Sequence, residues 1–154
     1  VEGNPKALKK AGSVSKFIGS KTFIIRKENK IYHHICCVMA SGFLAAIARG
    51  IEKLGSKKIR INGFKNLSFF NIYMPLIFQT LSNISHKGTL ISLTGPIARN
   101  DVNTVRKHIN ELEKLKDKEI IDYYKLISKF TLNIASRSGV VSKKQFQQLI
   151  KTKN

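Results

Sequence analysis

Acidic residues are scarce in this sequence. Nine Asp and Glu residues stand against 28 Lys and Arg, and the formal net charge is +19 at pH 7. The few carboxylates form no pair at a predicted strand end, where a nuclease would hold metal ions, so no enzymatic activity is predicted. No P-loop and no dinucleotide-binding glycine pattern occurs, so no cofactor is expected.

Cysteine and long apolar runs are also scarce. The two cysteines, Cys36 and Cys37, are adjacent, and neighbouring strand residues point to opposite faces, so we expect no disulfide and a reducing compartment. With His33 and His34 they form the one metal-like cluster, but no face holds more than two ligands, so no metal site is expected. The apolar stretch 69–81 is too short and too interrupted to span a bilayer, so no membrane partner is expected.

Positive charge is what the sequence has in excess. A domain with a net charge of +19 repels itself, and a polyanionic partner relieves that repulsion. The basic residues extend from Lys6 to Lys153, which favours a protein embedded in its partner over one that touches it with a single patch. Nucleic acid, RNA before DNA, is the predicted partner, and an anionic membrane surface is only the alternative that the charge suggests.

Composition and pattern divide the 154 residues into three segments. Residues 1–19 are predicted to be a basic N-terminal arm, 20–101 an α/β RNA-binding core, and 102–154 a helical extension. In the core, β-branched and aromatic runs predict strands, and apolar residues at spacings of three and four predict helices. The predicted strands are Thr22–Arg26, Ile31–Ala40, Lys58–Asn62 and Thr89–Leu93, and the predicted helices are Phe43–Leu54 and Phe70–Ile84.

The order of these elements predicts the fold class. A hairpin followed by helix, strand, helix and strand indicates a mixed sheet with a β-hairpin and a βαβαβ-like core. Beyond residue 102, helical spacing continues through Val105, Ile109 and Leu112, and Ser142 is expected to cap a short terminal helix. The predicted fold is therefore α/β with an all-helical C-terminal extension.

Basic and polar residues follow two of the predicted strands. Parallel strands send their following loops to the same edge of a sheet, so the two loops should present donors together. Arg offers paired hydrogen bonds to phosphate, Lys a point charge, and Asn contacts to sugar or base edges. Ile97 is expected to anchor the second loop to the core. The predicted RNA-binding residues are Lys65, Arg99, Asn100, Arg106, Lys107 and His108.

Three segments carry a resemblance to a known family. The sequences TFIIRKENKIYHHICCVMASG (22–42), KLGSKKIRINGF (53–64) and ISLTGPIARN (91–100) resemble, in order, parts of the small-subunit ribosomal protein eleven family. That family is the platform protein of the small ribosomal subunit. In the third segment Arg99 stands where the family has His. The positions that match the family signature there are Pro96, Ile97 and Asn100.

The resemblance covers residues 20–101 and departs from the family in its loops. The basic loop after the hairpin is missing, the glycine-rich loop is reduced to residues 63–65, and residues 101–104 replace a Gly-Cys-Arg-Pro segment. The resemblance implies a divergent member in an organellar ribosome, mitochondrial before plastid. It would bind small-subunit ribosomal RNA at the platform, support translation and contact neighbouring ribosomal proteins through its C-terminal helices, with no small-molecule substrate.

Two other classes of protein stay open. One is a free RNA-binding or RNA-processing factor with an α/β domain, which a carboxylate cluster near the sheet end would favour. The other is a membrane-peripheral basic protein, which would need a broad apolar helix face, often with Trp. The sequence contains no Trp. No signal peptide is visible, although a removed leader before Val1 is left open.

Overall fold

The computed structural model describes residues 3–59, 68–138, 141 and 143–150. Six α-helices occur in these ranges, and they are α1 (Pro5–Phe17), α2 (Lys30–Lys58), α3 (Met74–Ser92), α4 (Val102–Lys114), α5 (Lys118–Ala135) and α6 (Lys143–Leu149). Short 3₁₀ turns lie at Lys27–Asn29, Phe69–Tyr73 and Ser136–Ser138. No strand is present in the described part of the chain, so the predicted α/β fold with its mixed sheet is wrong.

The largest correction concerns the predicted strand Ile31–Ala40, which lies inside helix α2. A run that is apolar on every side has no period, so it cannot distinguish a strand from a helix. The predicted separation between this strand and the following helix, at residues 41 and 42, is also absent. Ser41 donates its hydroxyl to the Cys37 carbonyl at 2.8 Å, and Gly42 continues the helix. The segment therefore joins the predicted helix Phe43–Leu54 into one helix of 29 residues.

Of the other three predicted strands, two are absent and the third lies mostly outside the described residues. Thr22–Arg26 has no regular structure, and Lys58 is the last residue of α2, while 60–62 lie outside the described residues. Thr89–Leu93 falls at the end of α3, beyond a kink at Gly88, where φ is 78° and ψ is 168°. The predicted helix Phe70–Ile84 is confirmed in its greater part by α3, and the helices predicted after residue 102 are confirmed by α4, α5 and α6.

The chain divides into two compact units, residues 1–47 and 48–154. In the second unit, helices α4, α5 and α6 pack on one another around an apolar core. Val105, Ile109 and Leu112 recur at spacings of four and three along α4 and are all buried, so the predicted stripe is the core-facing side of that helix. Other members of the core are Ile97, Leu132, Ala135, Val141, Phe146 and Ile150.

The C-terminal part of α2 belongs to the second unit and is fixed there by close contacts. Gly55 is buried against the ring of Phe69. The Nζ atom of Lys53 lies 3.0 Å from Oδ1 of Asp117, and that of Lys57 lies 2.5 Å from Oδ2 of the same carboxylate. Asp117 also caps α5 by accepting the backbone N–H of Ile120.

The first unit is organised differently, because none of its described residues, 3–47, is buried. Helix α1 starts at Pro5, and the side chain of Asn4 caps it by accepting the Ala7 N–H at 2.9 Å. Exposed large apolar side chains include Phe17, Ile24, Ile31, Tyr32, Met39 and Phe43. An apolar surface of this extent on a folded chain marks a contact site.

One helical stretch in the described residues, Lys27–Lys58, is long and apolar enough to cross a membrane by length and composition. Core helices of soluble proteins and signal sequences pass the same test. None of the apolar window is buried in the structure. The sequence analysis missed this stretch because it divided the segment into a strand and a shorter helix.

Candidate functional site

The segment Thr94–Asp101, which connects α3 to α4, is a compact turn. Gly95 adopts φ 96°, a conformation that glycine tolerates best, and Asn100 adopts φ 57°. Three backbone hydrogen bonds close the turn, from Arg99 N to Gly95 O, from Asn100 N to Ile97 O and from Asp101 N to Pro96 O. Ile97 is buried, so the prediction that it anchors this turn to the core is confirmed.

Asp101 fixes the start of helix α4. Its Oδ1 atom accepts the Thr104 N–H at 3.0 Å, and its Oδ2 atom accepts the Thr104 hydroxyl at 2.6 Å. These bonds lower the pKa of Asp101, and the charges of Arg99 and Lys107 lower it further. Those two cations therefore lie near one carboxylate, on the same side of the turn.

Three of the six predicted RNA-binding residues share an exposed basic face. Arg99 lies on the connecting segment, and Arg106 and Lys107 lie near the start of α4. Around the helix axis, Arg106 is about 100° and Lys107 about 200° from the buried side of α4. The Nη1 atom of Arg106 donates to Oδ1 of Asn103 at 3.0 Å, which holds the guanidinium along the helix surface. We call Arg99, Arg106 and Lys107 the basic face.

The remaining three predicted residues are not part of this face. Lys65 lies outside the described residues. Asn100 is half-buried, and its buried side-chain oxygen accepts no hydrogen bond from the described part of the protein. The imidazole of His108 is engaged elsewhere, since its Nδ1 atom lies 2.8 Å from the hydroxyl of Tyr124 on α5.

The acidic residues of the second unit are largely occupied within the protein. Each ion pair cancels one charge of either sign and leaves the net charge unchanged, so the excess positive charge lies on the cations that have no such partner. The ion pairs are Lys53 and Lys57 with Asp117, Lys53 with Glu119, Arg49 with Glu52, Lys114 with Glu111, and Lys125 with Glu113. No such partner is found in the described residues for Arg99, Arg106 or Lys107.

The sequence analysis expected neither a metal site nor a disulfide at residues 33–37, and this segment lies on helix α2. Helix α2 places His33 and Cys37 one turn apart, with Nε2 and Sγ separated by 3.6 Å, and both cysteines are free and exposed. Within the described ranges no three His, Cys, Asp or Glu side chains come together as a metal site. The ring of His33 instead makes an edge contact with Phe23.

Comparison with known proteins identifies one family. The model of a domain of unknown function, DUF2520, matches residues 1–131. No curated protein and no solved structure matches the chain. No ribosomal protein family matches, so the resemblance to the small-subunit ribosomal protein eleven family is wrong. The short segments that suggested it are helical or irregular where they are described, whereas the resemblance implied strands.

Proposed function

The chain belongs to the DUF2520 family, and we propose that it binds RNA by its phosphates, with the basic face of Arg99, Arg106 and Lys107 as the main contact. The observation that carries this proposal is that the three side chains are exposed and that none of them forms an ion pair with a described residue, while the nearby Asp101 and Glu111 carboxylates bond to Thr104 and Lys114. The net charge of +19 supplies a long-range attraction toward any polyanion.

The three cations would contribute in different ways. Each guanidinium can form two parallel hydrogen bonds to one phosphate, whereas the Lys107 ammonium acts as a point charge. Neutralising phosphates releases counterions, so the affinity should fall steeply with salt concentration. Asn103 and Asn110 are exposed on the same side of α4, and their amides can bond the 2′-hydroxyl that distinguishes RNA from DNA.

This proposal retains the RNA partner expected from the sequence and does not require a ribosome. The expectations of a small ribosomal subunit, of its platform and of a mitochondrial location came from the family resemblance. Because that resemblance is wrong, nothing else supports these three expectations. The C-terminal helices, which the resemblance expected to contact neighbouring ribosomal proteins, pack on one another within this chain. The protein is thus proposed as a free RNA-binding factor.

The test is fluorescence anisotropy of a labelled single-stranded RNA over a series of salt concentrations. Arg99→Ala and Arg106→Ala should each cost about 1–3 kcal/mol of binding free energy, the range for a bidentate contact. Lys107→Ala should cost less and should mainly reduce the salt slope by about one unit. A DNA of the same sequence and length should bind more weakly.

The control is Lys87→Ala, which removes the same charge from an exposed position on α3. It should change the affinity less than any of the three variants. If the triple variant binds RNA with an unchanged affinity and salt slope, the basic face is not the RNA site. If Lys87→Ala weakens RNA binding as much as Lys107→Ala does, the attraction is a general effect of net charge.

A further inference from the structure

Two polar groups, His108 on α4 and Tyr124 on α5, join these helices beside the core of the second unit. The Tyr124 hydroxyl lies 2.8 Å from Nδ1 of His108, and the buried Ser128 lies one turn further along α5. The two rings meet edge to face, with centroids 6.0 Å apart and planes at 83°. Burial raises the pKa of Tyr124. Tyr124 is therefore a neutral phenol at neutral pH.

The contact with Tyr124 favours one tautomer of His108. A phenol O–H is a stronger acid than a neutral imidazole N–H, and an imidazole nitrogen is a stronger acceptor than a phenol oxygen, so the Tyr124 hydroxyl is the preferred donor across the 2.8 Å contact. The phenol proton is then directed to Nδ1 of His108, which accepts it. A neutral imidazole that accepts at Nδ1 carries its proton at Nε2. His108 therefore offers Nε2–H as a donor that no other described group uses.

Two cavities adjoin this pair, and both are lined by His108 and Tyr124. The larger, of about 480 Å³, has apolar walls from Leu54, Leu112 and Leu115. The smaller, of about 320 Å³, lies over the connecting turn and α5, and hydroxyl groups contribute to its wall. The hydroxyl-bearing residues are Thr94, Tyr123, Tyr124, Ser128 and Thr131. Each volume falls in the range of small-molecule sites.

The two charged residues that line the larger cavity differ in whether they form an ion pair. Glu111 is held by Lys114, one turn further along α4. Lys58 also lines this cavity, is exposed, and forms no ion pair with any described residue. The cavity thus presents apolar walls, one unpaired ammonium group and one imidazole N–H donor. A ligand that complements it has an apolar body and an anionic head.

We propose that this cavity binds a small organic anion, such as a short-chain or aromatic carboxylate, with its body among Leu54, Leu112 and Leu115 and its head on Lys58 and His108. The apolar body supplies affinity through burial, and the two donors fix the orientation of the head. A cationic ligand would meet the ammonium of Lys58 and is disfavoured. The site lies apart from the basic face, because His108 is turned toward Tyr124.

Octanoate is a suitable probe, with octanol and octylammonium as neutral and cationic controls of the same length. Binding is followed by NMR on protein labelled at the histidine rings, so that the signals of His108 report this site and not the exposed apolar surface of residues 3–47. Octanoate should saturate the His108 signals, octanol should bind more weakly, and octylammonium should not shift them. The ring nitrogen shifts should show Nε2–H as the protonated position in the free protein.

Two variants test the roles of the head-binding groups. Lys58→Met keeps the length of the side chain and removes its charge, and it should raise the dissociation constant of octanoate about tenfold, while leaving that of octanol nearly unchanged. Tyr124→Phe should mix the two His108 tautomers and weaken octanoate binding. Lys87→Met removes a charge from an exposed position on α3 and should leave octanoate binding unchanged.

The outcomes decide the proposal in each case. If octanoate, benzoate and phenyl phosphate all fail to saturate the His108 signals, the cavity is not a ligand site. Equal affinities for octanoate and octanol, or a Lys58→Met protein that binds octanoate normally, would show that an anion is not what the cavity selects. Selective octanoate binding that weakens with Lys58→Met would establish both the site and its ligand class.

Discussion

Gly55 of α2 and the ring of Phe69 approach so closely that no side chain fits between them. A Cβ atom added at Gly55 would stand 2.0 Å from Cε1 of Phe69. The predicted helix Phe43–Leu54 ends just before Gly55, yet α2 continues to Lys58. The residue is required by packing, since only glycine lets the ring lie against the helix backbone.

This contact reverses the effect expected from helix propensity. Replacing glycine with alanine inside an exposed helix stabilises it by up to about 1 kcal/mol. Gly55→Ala should instead destabilise the second unit by about 1–3 kcal/mol, because the ring of Phe69 has to move. Gly42→Ala is the matched comparison, since its added Cβ meets only Val38 at 3.9 Å.

Thermal unfolding and far-UV circular dichroism distinguish the two variants. Gly42→Ala should raise the helical signal without lowering the melting temperature, and Gly55→Ala should lower the melting temperature. Equal melting temperatures for Gly55→Ala and the parent protein would mean that Phe69 does not pack on α2.

The ion pairs of Asp117 make the free energy of unfolding depend on pH. Hydrogen bonds from Lys57 and then Lys53 lower the pKa of Asp117 from 3.8 to about 2. Because the unfolded chain takes up this proton first as the pH falls, the stabilisation is present above about pH 4 and is lost between about pH 4 and pH 2. Asp117→Asn should remove that part of the acid transition, while asparagine still caps α5.

Urea unfolding at several pH values from about 1 to about 7, a range that brackets the pKa of about 2, measures this effect. Lys57→Met provides the complementary control. It removes the hydrogen bond that lowers the pKa of Asp117 most, so that pKa should rise. Acid transitions that coincide for the parent protein and Asp117→Asn would contradict the assignment.

Ile97 and Arg99 separate the structural and binding roles of the turn. Ile97 is only 6% exposed, so Ile97→Asp should destabilise the fold by about 3 kcal/mol or more, because it buries an unpaired charge. Arg99→Ala should change stability by no more than about 0.5 kcal/mol, since Arg99 is exposed. Chemical denaturation checks both values, and a melted domain in Arg99→Ala would remove Arg99 from the basic face.

Phe146 tests whether α6 completes the core of the second unit. Its side chain is fully buried, and Phe146→Ala should cost about 3–5 kcal/mol through lost burial and the cavity left behind. Lys144→Ala, at an exposed position of the same helix, should have little effect. A Phe146→Ala protein as stable as the parent would show that the core forms without α6.

The sequence predicts helices well where one face alone is apolar. In α4 the polar positions between Val105, Ile109 and Leu112 give a clear period, and the helix lies where that period places it. In α2 the residues from Ile31 to Ala48 include no Lys, Arg, Asp or Glu, so no charged face marks a helical period and local β propensity suggests a strand. The error in fold class follows mainly from that one segment.

The candidate site was predictable only in part for a similar reason. Arg99, Arg106 and Lys107 are close in sequence, so their common exposure can be inferred from a turn and a helix start. The cavity around His108 joins side chains from α2, α4 and α5. No local pattern connects Lys58 to Tyr124, and their proximity arises only when the helices pack.

Helix α2 carries a gradient of local stability along its length. Its residues 48–58 are fixed by Gly55, Lys53 and Lys57, whereas no side chain of residues 30–47 is buried. A helical stretch without tertiary packing opens at little cost in water. Amide hydrogens should therefore exchange with solvent fastest near Lys30 and slowest near Gly55. Any molecule that covers the apolar surface of residues 30–47 would flatten this gradient, so hydrogen exchange along a single helix can report when that surface is occupied.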